Sequence, residues 1–128
     1  MREKLVGIML SRNYKILVEI RRKTDDFGSG AVWIPGGHVE KNETLEEATV
    51  RESEEEFGIK LITLQKICVL LWKHKNKDYE IHYFASKKWK GKIKNKEAGK
   101  LIWISKEEIN KLDENVDKKA FKQYLNQN

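Results

Sequence analysis

Short apolar runs broken by polar turns dominate this chain, with two stretches of helical spacing set among them. Lys4–Leu10 and Lys15–Arg21 read as strands joined by a turn at Arg12-Asn13. The alternation Ile16-Leu17-Val18-Glu19-Ile20-Arg21 sends successive side chains to opposite faces. A short strand is predicted near Val32–Ile34, followed by a helix over Thr44–Phe57. Thr44 with Glu47 forms a capping box at its start, and Gly58 is placed to stop it. Leu61–Lys73 and Tyr79–Ser86 read as two strands linked by the turn Lys75-Asn76-Lys77-Asp78, and Leu101–Ile104 as another. Ser105, with Glu108 at the capping-box position, starts a helix running from Lys106 toward Leu112. A last helix near Asp117–Leu125 puts Ala120, Phe121, Tyr124 and Leu125 on one stripe. Strands around a central helix, with a helix to close, predict an α+β fold.

Composition narrows the class. The 128 residues contain one proline, with no linker and no repeat, so one domain spanning 1–128 is expected. The apolar run in MREKLVGIML is too short for a signal peptide or a membrane span. The single cysteine, Cys68, excludes an internal disulfide; inside Ile67-Cys68-Val69-Leu70-Leu71 it reads as a small buried hydrophobe, compatible with a reducing cytoplasm. The net charge of +6 and pI of about 9.3 point to a polyanionic partner. Much of the excess lies in Lys87–Lys100, around Trp89. Interleaved lysines and an aromatic could hold single-stranded nucleic acid. A solvated basic hairpin, whose rim would also draw a nucleotide's phosphates, is the preferred reading.

The chemistry concentrates between Gly37 and Ile59, which reads GHVEKNETLEEATVRESEEEFGI. Glu43 stands six residues after Gly37, Arg51-Glu52 eight beyond that, then Glu55-Glu56, Gly58 and Ile59. On a helix, Glu52, Glu55 and Glu56 fall at offsets 0, 3 and 4 and share one face. Like charges at that spacing repel, and a hard divalent cation such as Mg²⁺ or Mn²⁺ would relieve the repulsion through oxygen ligands. Glu46-Glu47, by contrast, read as an ordinary solvated face. Upstream, Trp33-Ile34-Pro35-Gly36-Gly37 reads as a strand end and a sharp turn, where paired glycines let backbone approach a ligand and expose carbonyl oxygens.

This segment resembles the Nudix box, G-x5-E-x7-R-E-U-x-E-E-x-G-U with U aliphatic, at every fixed position but one. Ser53 stands where an aliphatic residue is usual, burying less apolar area by about 1–2 kcal/mol relative to leucine. The resemblance implies an α/β/α sandwich around a mixed sheet. It also implies Mg²⁺- or Mn²⁺-dependent hydrolysis of a nucleoside diphosphate linked to another moiety. Carried onto this chain, Glu52, Glu55, Glu56 and the carbonyl of Gly37 would be metal ligands, one carboxylate (Glu56 first) the general base, and Arg51 an anchor paired with Glu43. The likeness covers nearly the whole chain and is greatest to the small MutT-like branch, nucleoside triphosphate pyrophosphohydrolases. There Arg22, the second of the Arg21-Arg22 pair, matches a phosphate-contacting position. Glu97, six residues before Trp103, matches a further metal ligand or base. Asn115 lies near the branch's base-recognising asparagine. Many members are dimers, so a homodimer is compatible.

Other branches fit less well. The only proline is Pro35, so the downstream proline of ADP-ribose hydrolases is absent, and Gly36 stands where dinucleoside polyphosphate hydrolases tend to have lysine. The runner-up is a nucleotide-sugar hydrolase resembling GDP-mannose mannosyl hydrolase, on Lys41-Asn42-Glu43-Thr44 and Asp113-Glu114-Asn115-Val116. That branch degrades the box carboxylates and relies on a downstream histidine, where this chain has Asp117. A non-catalytic Nudix-fold module binding nucleotides or RNA is a third reading; such modules typically lose box glutamates, and none is missing here. Trp33, Trp72, His74, His82 and Tyr83 are candidate pocket walls, each equally suited to a packed sheet.

Overall fold

Strand β1 (Glu3–Arg12) forms the spine of the molecule, and its neighbours explain why Leu5 to Ser11 are all buried. In the computed structural model, which describes residues 2–23 and 29–127, β1 pairs in parallel with β7 (Lys77–Ser86) over Glu3–Leu10. Its other edge carries β4 (Gly36–His38) and, through Ser11 and Arg12, the start of β2 (Lys15–Ile20), both antiparallel. Strand β2 in turn holds β3 (Val32–Trp33) and β9 (Lys100–Ile104). Strand β6 (Gln65–His74) pairs with β7 at the far edge. A separate ribbon pairs β5 (Lys60–Leu61) with β8 (Trp89–Lys90).

Helices cover both faces of this mixed sheet. Along β1 the side chains alternate: Val6, Ile8 and Leu10 pack on the side of α1 (Leu45–Phe57), with Ala48, Phe57 and Phe84. Leu5 and Met9 pack on the side of α2 (Asn115–Gln127), with Ala120, Phe121 and Tyr124. The expected α/β/α sandwich is the observed one. Among the described residues no helix is long and apolar enough to cross a membrane.

Local chemistry explains where the elements depart from the sequence reading. Helix α1 begins at Leu45 because Thr44 is its cap: the Glu47 N–H donates to Thr44 Oγ1 at 3.0 Å, and the Thr44 N–H donates to Glu47 Oε1 at 2.8 Å. Gly58 ends it in the left-handed region at φ 68°. The hairpin turns centre on Asn13-Tyr14 and Lys75-Asn76, whose positive φ angles give the tight twist such connections need. The predicted strand Leu61–Lys73 is broken, since the Thr63 hydroxyl accepts from the N–H groups of Lys87 and Lys88 and bends the chain there. Lys106–Lys111 is a 3-10 helix, its short bonds running from Glu108 N–H to Ser105 O and from Leu112 N–H to Ile109 O. The final helix starts two residues earlier than predicted, at Asn115.

At the predicted turn Pro35-Gly36-Gly37, the two glycines instead open strand β4. Gly36 pairs with Gly7 and Gly37 with Val6. A Cβ on Gly36 would lie 1.9 Å from the Val6 carbonyl oxygen, so glycine is required by the approach of β1.

Candidate active site

Helix α1 is fixed at both ends, and its acidic face divides into an outer and an inner flank. On the outer flank Arg51 gathers carboxylates. Its Nε donates to Glu43 Oε2 at 2.7 Å and one terminal nitrogen donates to Glu43 Oε1 at 3.0 Å, a bidentate fork. The other terminal nitrogen reaches Glu52 Oε1 at 3.0 Å and Glu55 Oε2 at 3.1 Å. The His38 carbonyl accepts a further bond at 2.9 Å, tying the helix to β4. Hydrogen bonding to Arg51 holds the Glu43 carboxyl below the usual range. The same bond, first among several, raises Arg51's hold on its proton.

Gly37 sets the position of Glu52. A Cβ there would fall 2.3 Å from the Glu52 carboxyl, so any side chain at position 37 would displace that acid. Burial is the main cause raising the Glu52 pKa, only partly offset by Arg51.

The inner flank is different. Glu56 is 4% exposed and its Oε2 is buried with no hydrogen-bond partner. The carboxyl beside it belongs to Glu19 on β2, itself 3% exposed and bonded to Arg21 Nη1 at 3.1 Å. Burial first, then the charges of Glu19, Glu52 and Glu97, push the Glu56 pKa far up. Burial likewise raises Glu19. An acid surrounded by acids in a low dielectric demands positive charge.

Behind this flank lies a cavity of about 340 Å³. Glu19 and Arg21 line it on one side, Gly36 and Gly37 on another, and Trp33, Trp72, Tyr83, Glu114 and Asp117 complete its walls. The Arg21 guanidinium sits over the Trp33 ring at 5.7 Å. Trp33 meets Trp72 edge-on at 5.5 Å, and His74 stacks on the outer face of Trp72 at 4.6 Å. Glu114 accepts from the Trp72 indole N–H at 2.9 Å. Asp117 accepts from the Tyr83 hydroxyl at 2.6 Å and the Ile34 N–H at 3.0 Å. Burial pushes its pKa up to about 7 despite those two bonds.

The sequence of the family described as the NUDIX domain matches residues 1–125. The chain belongs to the Nudix family. It is a Nudix hydrolase, and the family generally uses a divalent cation. The 8-oxo-dGTP diphosphatase of Buchnera aphidicola is 30% identical over 102 residues, 78% of this chain and 74% of that one. The Escherichia coli enzyme of the same name is 30% identical over 100 residues, 78% of this chain and 77% of that one. Among solved structures, the MutT Nudix hydrolase of Burkholderia pseudomallei superposes with a TM-score of 0.82 at 24% identity, covering 96% of this chain and 98% of that one.

Within this Nudix domain the predicted residues do not all come together. Arg51, Glu43, Glu52 and Glu55 meet on the outer flank, and Gly37 abuts Glu52. Glu56 turns inward, so the three box carboxylates do not converge in this conformation, and no closed set of three acidic, histidine or cysteine ligands forms among the described residues. Glu97 lies on the exposed β8–β9 loop, near enough for its charge to act on Glu19, Glu52 and Glu56. The loop is tied to the end of α1 by the Lys94 and Lys96 N–H groups, which donate to the carbonyls of Phe57 and Glu56. Arg22 and Asn115 are exposed and do not line the cavity, where Arg21, Glu114 and Asp117 stand instead. Of the candidate pocket walls, Trp33, Trp72 and Tyr83 line it; His82 is bonded to Glu80 elsewhere. Glu19 was missed. The signal was an acid at an inward position of an alternating strand, on the same face as buried Leu17.

Proposed function

We propose that this Nudix hydrolase converts a nucleoside triphosphate, with oxidised purine triphosphates first among them, to the monophosphate and pyrophosphate. The observation that carries the reading is the buried, unpartnered Glu56 oxygen beside an aromatic-walled cavity. The donor set fits a hard cation: Glu52, Glu55, Glu56 and the Gly37 carbonyl would hold Mg²⁺ or Mn²⁺, with Glu97 as a further ligand or base. When bound, that cation neutralises phosphate oxygens and lowers the pKa of a water.

The chain's own residues supply the rest. Trp33 and Trp72 offer flat apolar walls for a base, with Glu114 and Asp117 to meet its N–H edge. Arg21 and Arg22 lie at the end of β2, where phosphates leave the cavity toward the carboxylates; Arg22 is the one we assign to them. Asn115, at the start of α2 between the cavity-lining Glu114 and Val116, is the residue we assign to the edge of the base. Glu56, in its ionised form, takes the proton of the attacking water as the new P–O bond forms and the bond to pyrophosphate breaks. Arg51 and Glu43 hold the outer flank in register without touching substrate. The reading places the enzyme in the cytoplasm.

A phosphate-release screen with Mg²⁺, run with and without added pyrophosphatase, tests it. Nucleoside triphosphates, oxidised guanine nucleotides, nucleotide sugars and dinucleoside polyphosphates form the panel. Pyrophosphate and a monophosphate from a triphosphate are expected. Free sugar appearing from a nucleotide sugar faster than any triphosphate is consumed overturns the reading.

A further inference from the structure

Glu19 lies outside the Nudix box, yet both its backbone and its carboxyl are held. Its backbone is paired on both edges, with Trp33 of β3 on one side and Leu101 of β9 on the other. Its carboxyl, 3% exposed, is held by Arg21 Nη1 at 3.1 Å, and Arg21 is itself seated over Trp33. Next to it is the Glu56 carboxyl, whose Oε2 has no partner of its own. Glu19 also lines the cavity, whereas Glu56 does not.

We propose that Glu19 is a positioning residue of the hydrolytic site, fixing Glu56 from the strand side while Arg21 fixes Glu19. The chain Trp33–Arg21–Glu19–Glu56 then runs from the cavity wall to the acid face, so that a nucleotide in the cavity and the cation-binding carboxylates share one rigid reference. Helix α1 contributes the acid, but the doubly paired strand determines where that acid points. Residues that orient a ligating side chain in this way commonly affect metal affinity nearly as much as the ligand does. A purely architectural alternative exists, in which the Arg21 pair merely satisfies a buried carboxylate.

The inference rests on the proposed cation site, and Mn²⁺ binding followed by electron paramagnetic resonance separates the two. Glu19→Ala should weaken Mn²⁺ binding by about tenfold or more. It should lower kcat by a similar factor while leaving the nucleotide KM within about twofold, the pattern of a lost transition-state contact. Glu19→Gln keeps the shape, accepts from Arg21 and can donate to Glu56, so it should recover most of both. Arg21→Ala should weaken Mn²⁺ binding in the same direction. If Glu19→Ala does not fold, Glu19→Asp serves: shortened by one methylene, it should also bind Mn²⁺ more weakly than wild type. A folded Glu19→Ala or Glu19→Asp that binds Mn²⁺ as wild type does overturns the proposal, as does a Glu19→Gln as damaged as Glu19→Ala. Wild-type protein that binds no Mn²⁺ overturns the cation site itself.

Discussion

On the outer flank of α1, Glu43, Glu52 and Glu55 reach the Arg51 guanidinium at 2.7 to 3.1 Å; on the inner flank, one residue beyond Glu55, Glu56 faces the acid Glu19. The residue type and the helix are the same, yet the electrostatics are opposite. Outer carboxylates share a cation the protein carries, Glu55 half-exposed to water, and their geometry is a clamp between helix and loop. The inner carboxylate is buried, and neighbouring acids raise the free energy of its charged form. A helix face crowded with glutamates is therefore two devices. One is gathered by Arg51 into a fixed register, with Glu52 and Glu55 still able to turn an oxygen to a metal; the other has only acids beside Glu56 on α1 and β2 and calls for a cation from outside.

The largest effect should come from the inner flank. Glu56→Gln removes a charge and a base together, so turnover should fall by roughly a hundredfold or more. The metal-free protein should melt at a higher temperature near neutral pH, because burial and the neighbouring acids make the Glu56 carboxyl take up a proton on folding and the amide needs none. Steady-state kinetics and thermal melts check both halves. Undiminished turnover, or a lower melting temperature, would erase the distinction between the flanks.

The outer flank should fail differently. Arg51→Ala leaves Glu43, Glu52 and Glu55 without their shared cation, and the melting temperature should drop by roughly 5 °C. Loosening the acids should also slow turnover by about tenfold, since small misplacements are costly in rate. Arg51→Lys should restore only part of this, lacking the planar fork that Glu43 receives. If Arg51→Ala melts like the wild type and binds Mn²⁺ equally well, Arg51 is no anchor.

How much of this was readable beforehand follows the same division. The outer flank is local in sequence: Glu43, Arg51, Glu52 and Glu55 all belong to one loop and helix, so helical spacing was enough to group them. Capping by Thr44, Glu47 and Gly58 was legible for the same reason. The inner flank depends on a strand thirty-odd positions upstream packing under α1, and no local pattern pairs Glu19 with Glu56. The predicted turn at Gly36-Gly37 went wrong because the demand for glycine comes from Val6 and Glu52, both distant in sequence, and not from backbone conformation. The cavity acids Glu114 and Asp117 stayed hidden behind Asn115, because the orientation of α2 decides which side of its first turn faces inward.

Asp117 sharpens the comparison as a buried acid compensated by hydrogen bonds alone. Its folded pKa of about 7 lies above the ordinary 3.8, so the folded state holds the proton more tightly than the unfolded chain. The stability this confers is complete below about pH 4, declines as pH rises to about 7, and is gone above that. Asp117→Asn lacks the titration and can keep both bonds, its oxygen facing the Ile34 N–H and its amide donating to the Tyr83 hydroxyl. Wild-type melting temperatures should therefore fall relative to Asp117→Asn between pH 4 and 7 by a few degrees. Parallel curves across that window would mean that the donors hold the carboxylate charged, and that hydrogen bonds can do for an acid what Arg51 does on the outer flank.

The smallest effect should come from Ser53, which lies between the two flanks on the inner side of α1. It is fully buried, with Ala48 and Thr49 beside it, and its hydroxyl donates to the Thr49 carbonyl at 2.8 Å. Such a bond to the preceding turn duplicates a helical one, and alanine is the better helix former, so Ser53→Ala should change stability by less than about 1 kcal/mol. Ser53→Leu should not recover the apolar area that the aliphatic residue usual at this position would bury. Small residues at 48, 49 and 53 set the helix close to the sheet, and overpacking there should destabilise by about 1–3 kcal/mol. It should also lift Glu56 away from Glu19 while leaving the Arg51 clamp in place. Mn²⁺ affinity should then fall in Ser53→Leu and hold in Ser53→Ala. A Ser53→Leu protein that is more stable and binds Mn²⁺ normally would show that the inner flank tolerates a helix set further from the strand, and that its geometry does not depend on close packing.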